Sequence, residues 1–460
     1  MLSKNTIADI LTAALSTGGD FAEVFIEHKN ANSISLINGK VEKSSGGIDY
    51  GVGIRIFNGF SGIYCYTNDT NYENLIKVAK EGASAVKKKQ SIKVMPFIDQ
   101  KIENKHKIII PPTTYSKKEA INYLRLASKT AFNTNKLITE TSCGYIDYIQ
   151  NVIIANSDGL YAEDSRTRSR FTLTAIATNE KDKENFYISK GEHCGFELLK
   201  KYNFEDMGTE IAEKAVNNLY AELCPSGKMP VIIDNAFGGV IFHEACGHSL
   251  EATSIAKDAS VFCGKKGSII ANEKVTAIDD GTIENEWGSL NIDDEGTKTQ
   301  KNTLIKNGVL NSYLVDRLNG KKMGENSTGS SRRESYKFAP TSRMTNTYID
   351  NGTDTTEDIF ASVEYGLYAK TMGGGSVLPS TGAFNFAANE AYIIKNGKIH
   401  KQVKGATLIG KGSEILMNID MISNNLDKAP GMCGSISGSV PTNVGQPTLR
   451  VKEITVGGRA

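Results

Sequence analysis

The chain has 460 residues, enough for two or three domains, and its 39% apolar content and 44 glycines are ordinary for a globular protein. Its 53 basic and 52 acidic residues leave a formal net charge of +1, so no single-sign field gathers polyanions and a nucleic-acid partner is not expected. The seven cysteines, at 65, 143, 194, 224, 246, 263 and 433, are scattered without a CxxC pair and read as reduced thiols.

The amino-terminal stretch MLSKNTIADILTAAL mixes charged and apolar residues at helical spacing, which predicts an amphipathic helix rather than a signal peptide. No window approaches the roughly eighteen apolar residues of a membrane span, so a cytoplasmic location without membrane contact is expected. Asn-Gly pairs at 38–39, 58–59, 307–308, 319–320, 351–352 and 396–397, several flanked by alternating apolar residues, predict tight hairpins and a sheet-rich, mostly antiparallel chain. Helices interrupt it: one begins at Ser116, with Glu119 at capping-box spacing, and a second runs roughly from Phe204 to Leu223. Strands broken by isolated helices, without βαβ alternation, give an α+β fold. The Lys-rich run from Lys87 to Pro112 reads as a linker, and CPSGKMP at 224–230 as a second break. They divide the chain into an N-terminal α+β domain at 1–90, a central α+β domain at 113–223 and a C-terminal domain at 229–460. SISLINGKVEKSSGG and NVIIANSDGLYAEDSR share a strand, turn, strand character, a weak trace of duplication.

The chemistry concentrates in FHEACGHSLE, residues 242–251. The segment follows a strand and starts at the Gly238-Gly239 turn, which places both histidines on a helix. At 3.6 residues per turn a spacing of four leaves side chains about 40° apart, but the five-residue spacing of His243 and His248 opens them to about 140°, too wide for one tetrahedral ion. The helix must therefore take up an extra residue as a π-bulge or end between the histidines, and Gly247 permits either. If the imidazoles converge, Glu244 can take a proton from a metal-acidified water, which is hydrolytic chemistry. Cys246, Glu251, Cys263 and Cys433 are the candidates for a third ligand, and spacing does not choose among them. In the competing reading, both histidines merely satisfy core hydrogen bonds. Cys433 sits in APGMCGSISGSVPTNVGQPTLRV, expected to be a glycine-rich loop, where its thiol is either a ligand brought from afar or a small hydrophobe at a turn.

Other stretches carry less. GVGIR at 51–55 lacks the third glycine of a dinucleotide fingerprint and no GxxxxGK[ST] loop occurs, so nucleotide cofactors are not implied. Arg332 and Arg333 of SGSSRRESY could clamp a carboxylate or phosphate, with at most one of them facing a site, or lie on a solvated surface. GGGSVLPSTG, from Gly373, reads as a loop whose glycines admit close backbone approach, and IDDEGT at 292–297 as an exposed turn.

Taken together, HEACGHSLE, RRESY followed by RMTNTYI, GGGSV, VKGATLIGKG and GMCGS with VPTNVGQPTLRV resemble the TldD subunits of the TldD/TldE (PmbA) metalloprotease family, in order across the carboxy-terminal half. The resemblance implies three domains, the last a metalloprotease domain. His243 and His248 of the HExxxH motif and Cys433 would bind zinc, with Glu244 as general base. It also implies a heterodimer with a TldE-like paralogue, a homodimer being the other option. The enclosed site would admit unfolded or extended peptide gripped through its backbone, with little dependence on sequence. Maturation of modified peptides and degradation of unfolded antitoxins are family roles. Two features depart from the pattern: Cys246 is an extra thiol inside the motif, and GSISGS follows Cys433 where relatives tend to carry a charged residue and Gln. The alternatives are a non-catalytic regulatory subunit of the gyrase-modulator kind and a zinc hydrolase of small amides.

Overall fold

The computed structural model describes residues 2–86, 92–378 and 380–458. The first helix, Lys4–Ala14, is capped by the Ser3 side chain, which accepts the Thr6 amide at 3.1 Å. Two long hairpins follow. Phe21–Ile37 pairs with Lys40–Asn58 across Asn38 and Gly39, both at positive φ (52° and 71°), and Ile138–Asn156 pairs with Leu160–Thr178. Phe21–Ile37 and Ile138–Asn156 also pair with each other, antiparallel, so one seven-stranded sheet runs through the first half of the chain.

Strands of 17 to 19 residues reach about 60 Å, longer than one helical layer can cover, and the apolar pattern divides accordingly. Val24 and Ile26 near one end of Phe21–Ile37 pack under Lys4–Ala14 and Tyr72–Ser84, whereas Ile34 and Leu36 near the other belong to a core covered by Lys117–Thr134 and Phe204–Tyr220. Ser116 caps Lys117–Thr134 by accepting the Lys118 amide at 3.3 Å, and Asn203 caps Phe204–Tyr220 by accepting the Glu205 amide at 2.9 Å. Glu119 does not complete a capping box; it pairs with Lys200 at 3.5 Å. Residues 87–91 of the expected linker lie outside the described residues. Its remainder is docked rather than free, with Ile98–Gln100 adding a parallel strand and His106 stacking on His193 at 3.8 Å.

The second half builds two large sheets around one large core, beside a small two-stranded pairing of Ser331–Arg332 with Thr341–Ser342. In the larger, Tyr365–Leu378, Gly227–Ile233, Leu449–Gly457, Thr407–Lys411 and Ala383–Lys395 pair in that order, and the last pairs back to the first, closing a ring. The six-stranded sheet ends in Asn346–Ile349, Gly438–Gln446 and the edge strand Asp427–Ser435. The architecture is α+β with mostly antiparallel pairing, as expected from the hairpin pattern. No helix among the described residues is long and apolar enough to cross a membrane.

Four segments differ from expectation. Asn319-Gly320 lies in a short helix, Arg317–Met323, because Asp316 caps it by accepting the Asn319 amide at 3.1 Å, and Asn351-Gly352 joins no hairpin. GGGSV is the end of a bulged strand, not a loop; its glycines do admit close approach, a Cβ at Gly375 falling 2.2 Å from the Asn385 carbonyl oxygen. IDDEGT is not exposed: Asp293, Asp294 and Glu295 are at most 2% exposed. They are buried because the first sheet supplies their partners, Arg166 to Asp294 at 2.6 Å and Arg55 to Glu295, with Arg55 and Arg333 also gripping Glu23 at 3.0 and 2.7 Å. These ion pairs weld the two halves together.

Candidate metal centre

The strand Gly227–Ile233 delivers the chain to a helical segment that changes its winding three times. Ala236–Gly239 is 3₁₀, Val240–Phe242 is α, His243–Gly247 is π, and His248–Leu250 is 3₁₀ again. The His248 amide donates to the His243 carbonyl, an i to i+5 bond that sets the second imidazole over the first. The extra residue demanded by the five-residue interval is thus absorbed in the π-turn. Close packing holds it: a Cβ at Gly247 would fall 2.2 Å from Met344 Sδ, and one at Gly412 would fall 2.0 Å from the Ala245 carbonyl oxygen.

Cys433 arrives from a hairpin. The glycine-rich segment is not a loop but two paired strands, Asp427–Ser435 and Gly438–Gln446, with Cys433 opposite Val440 and Gly438 at φ 85° making the turn. Glycine and serine disguise the alternation without preventing the ladder. The Cys433 sulfur lies 3.3 Å from His243 Nε2 and 3.3 Å from His248 Nε2, and the three donor atoms lie within 4.8 Å of one another. A tetrahedral zinc with bonds of about 2.0–2.3 Å separates sulfur from nitrogen by about 3.5 Å, so the spacing and the soft N₂S donor set fit that ion. The rings stand at 85° with centroids 5.0 Å apart, each aiming Nε2 inward.

Glu251 is not in the cluster. Its Oε2 lies 3.2 Å from His248 Nδ1, on the far side of the ring, and it is 3% exposed. Burial alone would lower the His248 pKa, but Glu251 and Cys433 outweigh it and raise it well above the ordinary imidazole value. Burial likewise raises the Cys433 thiol, and the two imidazoles outweigh it, bringing the thiol well below its usual range. Thiolate is the metal-binding form. Glu244 Oε2 lies 3.8 Å from His248 Nε2, on the cluster side, and its side chain is a quarter exposed.

The remaining thiols are elsewhere. Cys246 is fully buried, points its sulfur at the Gly412 carbonyl at 3.8 Å, and burial pushes its pKa up, the profile of an inert small hydrophobe. Cys263 points at the Ile255 carbonyl at 3.7 Å. Two residues given no role from sequence hold the site. Arg343 donates to the Cys433 carbonyl and, at 2.8 and 2.9 Å, to Ser437 Oγ and the Gly438 carbonyl, fixing the hairpin; Met344, next to it, packs on Gly247. Contacts across ninety positions leave no local trace in sequence. Glu251, by contrast, stands three residues after His248, a spacing that puts it beside the ring.

Comparison with known proteins identifies the family. Profiles of the PmbA/TldA metallopeptidase domain 1, central domain and C-terminal domain match residues 22–86, 110–219 and 226–458. A metalloprotease TldD homolog of Haemophilus influenzae is 36% identical, covering 99% of this chain and 97% of its own. A metalloprotease of Methanocaldococcus jannaschii is 33% identical over 94% of this chain and 96% of its own. Among solved structures, TldE from Thermococcus kodakarensis superposes with a TM-score of 0.78 at 18% identity, covering 98% of this chain and all of that one. A Thermotoga maritima protein described as a candidate modulator of a DNA gyrase superposes with a TM-score of 0.80 at 20% identity, covering 99% and 100% of the two chains. At those identities the structures speak for the fold alone. The chain belongs to the PmbA/TldD metallopeptidase family, and within it to the TldD-type metalloproteases.

Proposed function

We propose that the protein is a zinc peptidase cleaving unfolded or extended peptides, with His243, His248 and Cys433 as ligands and Glu244 as general base. The observation that carries this is the π-turn, which brings two imidazoles five residues apart onto one sulfur from a distant hairpin. Zinc, when bound there, supplies Lewis-acid polarisation of a carbonyl and acidification of water. The chain's own residues do the rest. Glu251 keeps Nδ1 of His248 occupied so that Nε2 faces the donor cluster. Arg343 holds the Cys433 backbone, and with it the sulfur, in register. Glu244, on the cluster side and partly open to solvent, takes the proton of the attacking water and passes it to the leaving amine.

The family membership and the TldE fold neighbour support a TldE-like partner subunit, with which the site would be enclosed. The absence of a membrane-crossing helix among the described residues and the near-neutral charge are compatible with a cytoplasmic heterodimer. The test is cleavage of an unstructured peptide, alone and with the co-expressed paralogue, by wild type and Glu244→Gln. The expected result is a loss of about 10²–10⁴-fold in kcat with zinc content unchanged. Unimpaired cleavage by the variant would remove Glu244 from the mechanism.

A further inference from the structure

A cavity of 640 Å³ lies between the first sheet and the hairpin that carries Cys433, with Met432 and Val440 in its wall. Its size is that of a small-ligand site, about 300–1,000 Å³. Four arginines line it, and their charges are not equally matched. Arg166 is paired with Asp164 and Asp294, and Arg333 with Glu23. Arg168 and Arg332 form no ion pair among the described residues, although they are 2% and 3% exposed. Arg168 donates only to carbonyls, of Trp287 at 2.9 Å and Ser289 at 2.6 Å. Arg332 donates from one nitrogen only, to the Met344 carbonyl at 2.7 Å and Thr442 Oγ1 at 3.4 Å. A guanidinium has five N–H donors, so both retain donor capacity toward the cavity.

The acidic side chains in the wall make their hydrogen bonds elsewhere, and among the described residues none forms an ion pair with Arg168 or Arg332. Asp294 is taken by Arg166 and the Arg333 amide, Asp147 by Asn32 and Tyr115, Asp49 by Lys337 and Tyr336, and Glu334 by the Ser439 amide. Burial, and next the charge of Arg168, bring the Arg332 pKa down to about 9, with the Asp294 charge opposing them only in part, the direction expected of a cation that is not fully compensated. Buried cations without partners are costly, and bidentate pairing with a carboxylate is what the guanidinium fork fits best.

We propose that this cavity takes a carboxylate of the peptide substrate, held by Arg168 and Arg332. The proposal rests on the peptidase reading and narrows it: peptides bearing a carboxylate at the right distance from the cleaved bond are preferred. Arg332 also ties the cavity to the metal centre, since it holds the Met344 carbonyl while Met344 packs on Gly247 of the π-turn. The carboxylate can come from the peptide C-terminus or from an acidic side chain.

The test is equilibrium binding to the zinc-loaded Glu244→Gln variant, so that turnover plays no part. The probes are N-acetyl hexa-alanine with a free C-terminal carboxylate, its carboxamide, and the carboxamide with one internal Glu. One or both of the carboxylate peptides should bind about ten-fold or more tightly than the plain carboxamide, and the one that does identifies the source. In Arg332→Gln, checked for unaltered thermal unfolding, the difference should fall to within about two-fold; Arg332→Lys, which keeps the charge but not the fork, should retain part of it. Equal binding of all three peptides to the arginine-intact protein, or no binding of any, would overturn the proposal without any need for a folded Arg332 variant. So would discrimination that survives in folded Arg332→Gln and Arg168→Gln alike. Hydrolysis is measured separately on wild type: carboxylate-dependent binding without hydrolysis refutes the peptidase reading and keeps the site, and hydrolysis without carboxylate dependence does the reverse.

Discussion

Glu251 engages Nδ1 of His248 at 3.2 Å while Nε2 of the same ring lies 3.3 Å from the Cys433 sulfur, so one carboxylate fixes both the tautomer and the aim of a ring central to the site. Such partners tune metal affinity by about 10–100-fold. Glu251→Gln, which keeps the shape but surrenders the charge, is expected to raise the zinc dissociation constant by about that factor in a chelator competition. An unchanged constant would show that the ring is held by packing alone.

Gly247 is fixed by Met344, whose sulfur would stand 2.2 Å from an added Cβ. Gly247→Ala is therefore expected to destabilise the fold by about 1–3 kcal/mol in denaturant unfolding and to weaken zinc binding, since the π-turn must shift. Trimming the neighbour makes room, so Gly247→Ala with Met344→Ala should be less unstable than the sum of the two single changes. Strict additivity would mean that the turn does not depend on that contact.

The buried charges joining the two halves predict a large effect from a residue remote from the metal. Glu295 is fully buried and paired with Arg55, which also holds Glu23 at 3.0 Å. Glu295→Ala leaves that guanidinium undercompensated, and a loss of about 3–5 kcal/mol in unfolding free energy is expected. A loss below about 1 kcal/mol would place the pairing among contacts of little consequence.

The stacked pair His106 and His193 gives a pH dependence. His106 accepts the Asn285 amide at Nδ1 (3.1 Å) and is 3% exposed; burial, and then Arg168, bring its pKa down to about 4. The unfolded chain takes up a proton near pH 6.5 that the folded chain refuses until about pH 4. The His106 contribution is thus complete above about pH 6.5 and is lost as the pH falls toward 4, on the order of 3 kcal/mol in all. Unfolding midpoints between pH 7 and 4.5 should fall less steeply in His106→Asn, which keeps an acceptor but cannot titrate. Parallel curves would rule out this histidine as a source of acid sensitivity.

The sequence disclosed the site better than it disclosed the surroundings. The five-residue interval between His243 and His248 required a π-turn or a helix end from helical geometry alone, and the turn is there. The Asn-Gly pairs at 38–39, 307–308 and 396–397 mark hairpins because both residues adopt positive φ. The hairpin bearing Cys433 was hidden because glycine, serine and proline are interspersed among its few apolar residues, which blurs the alternation. The burial of Asp293, Asp294 and Glu295 was hidden for another reason: the cations that make it tolerable come mainly from Arg55 and Arg166, more than a hundred residues away in sequence. Arg343, holding the Cys433 carbonyl from ninety positions away, was beyond any local pattern.

The account stands on one ion shared by His243, His248 and Cys433. X-ray absorption at the zinc edge of the purified, zinc-loaded protein tests it most directly. One sulfur scatterer at about 2.3 Å and nitrogen or oxygen scatterers at about 2.0–2.1 Å are expected, with the sulfur shell missing in Cys433→Ser. A zinc shell without sulfur in the wild type, or one unchanged in Cys433→Ser, would contradict it.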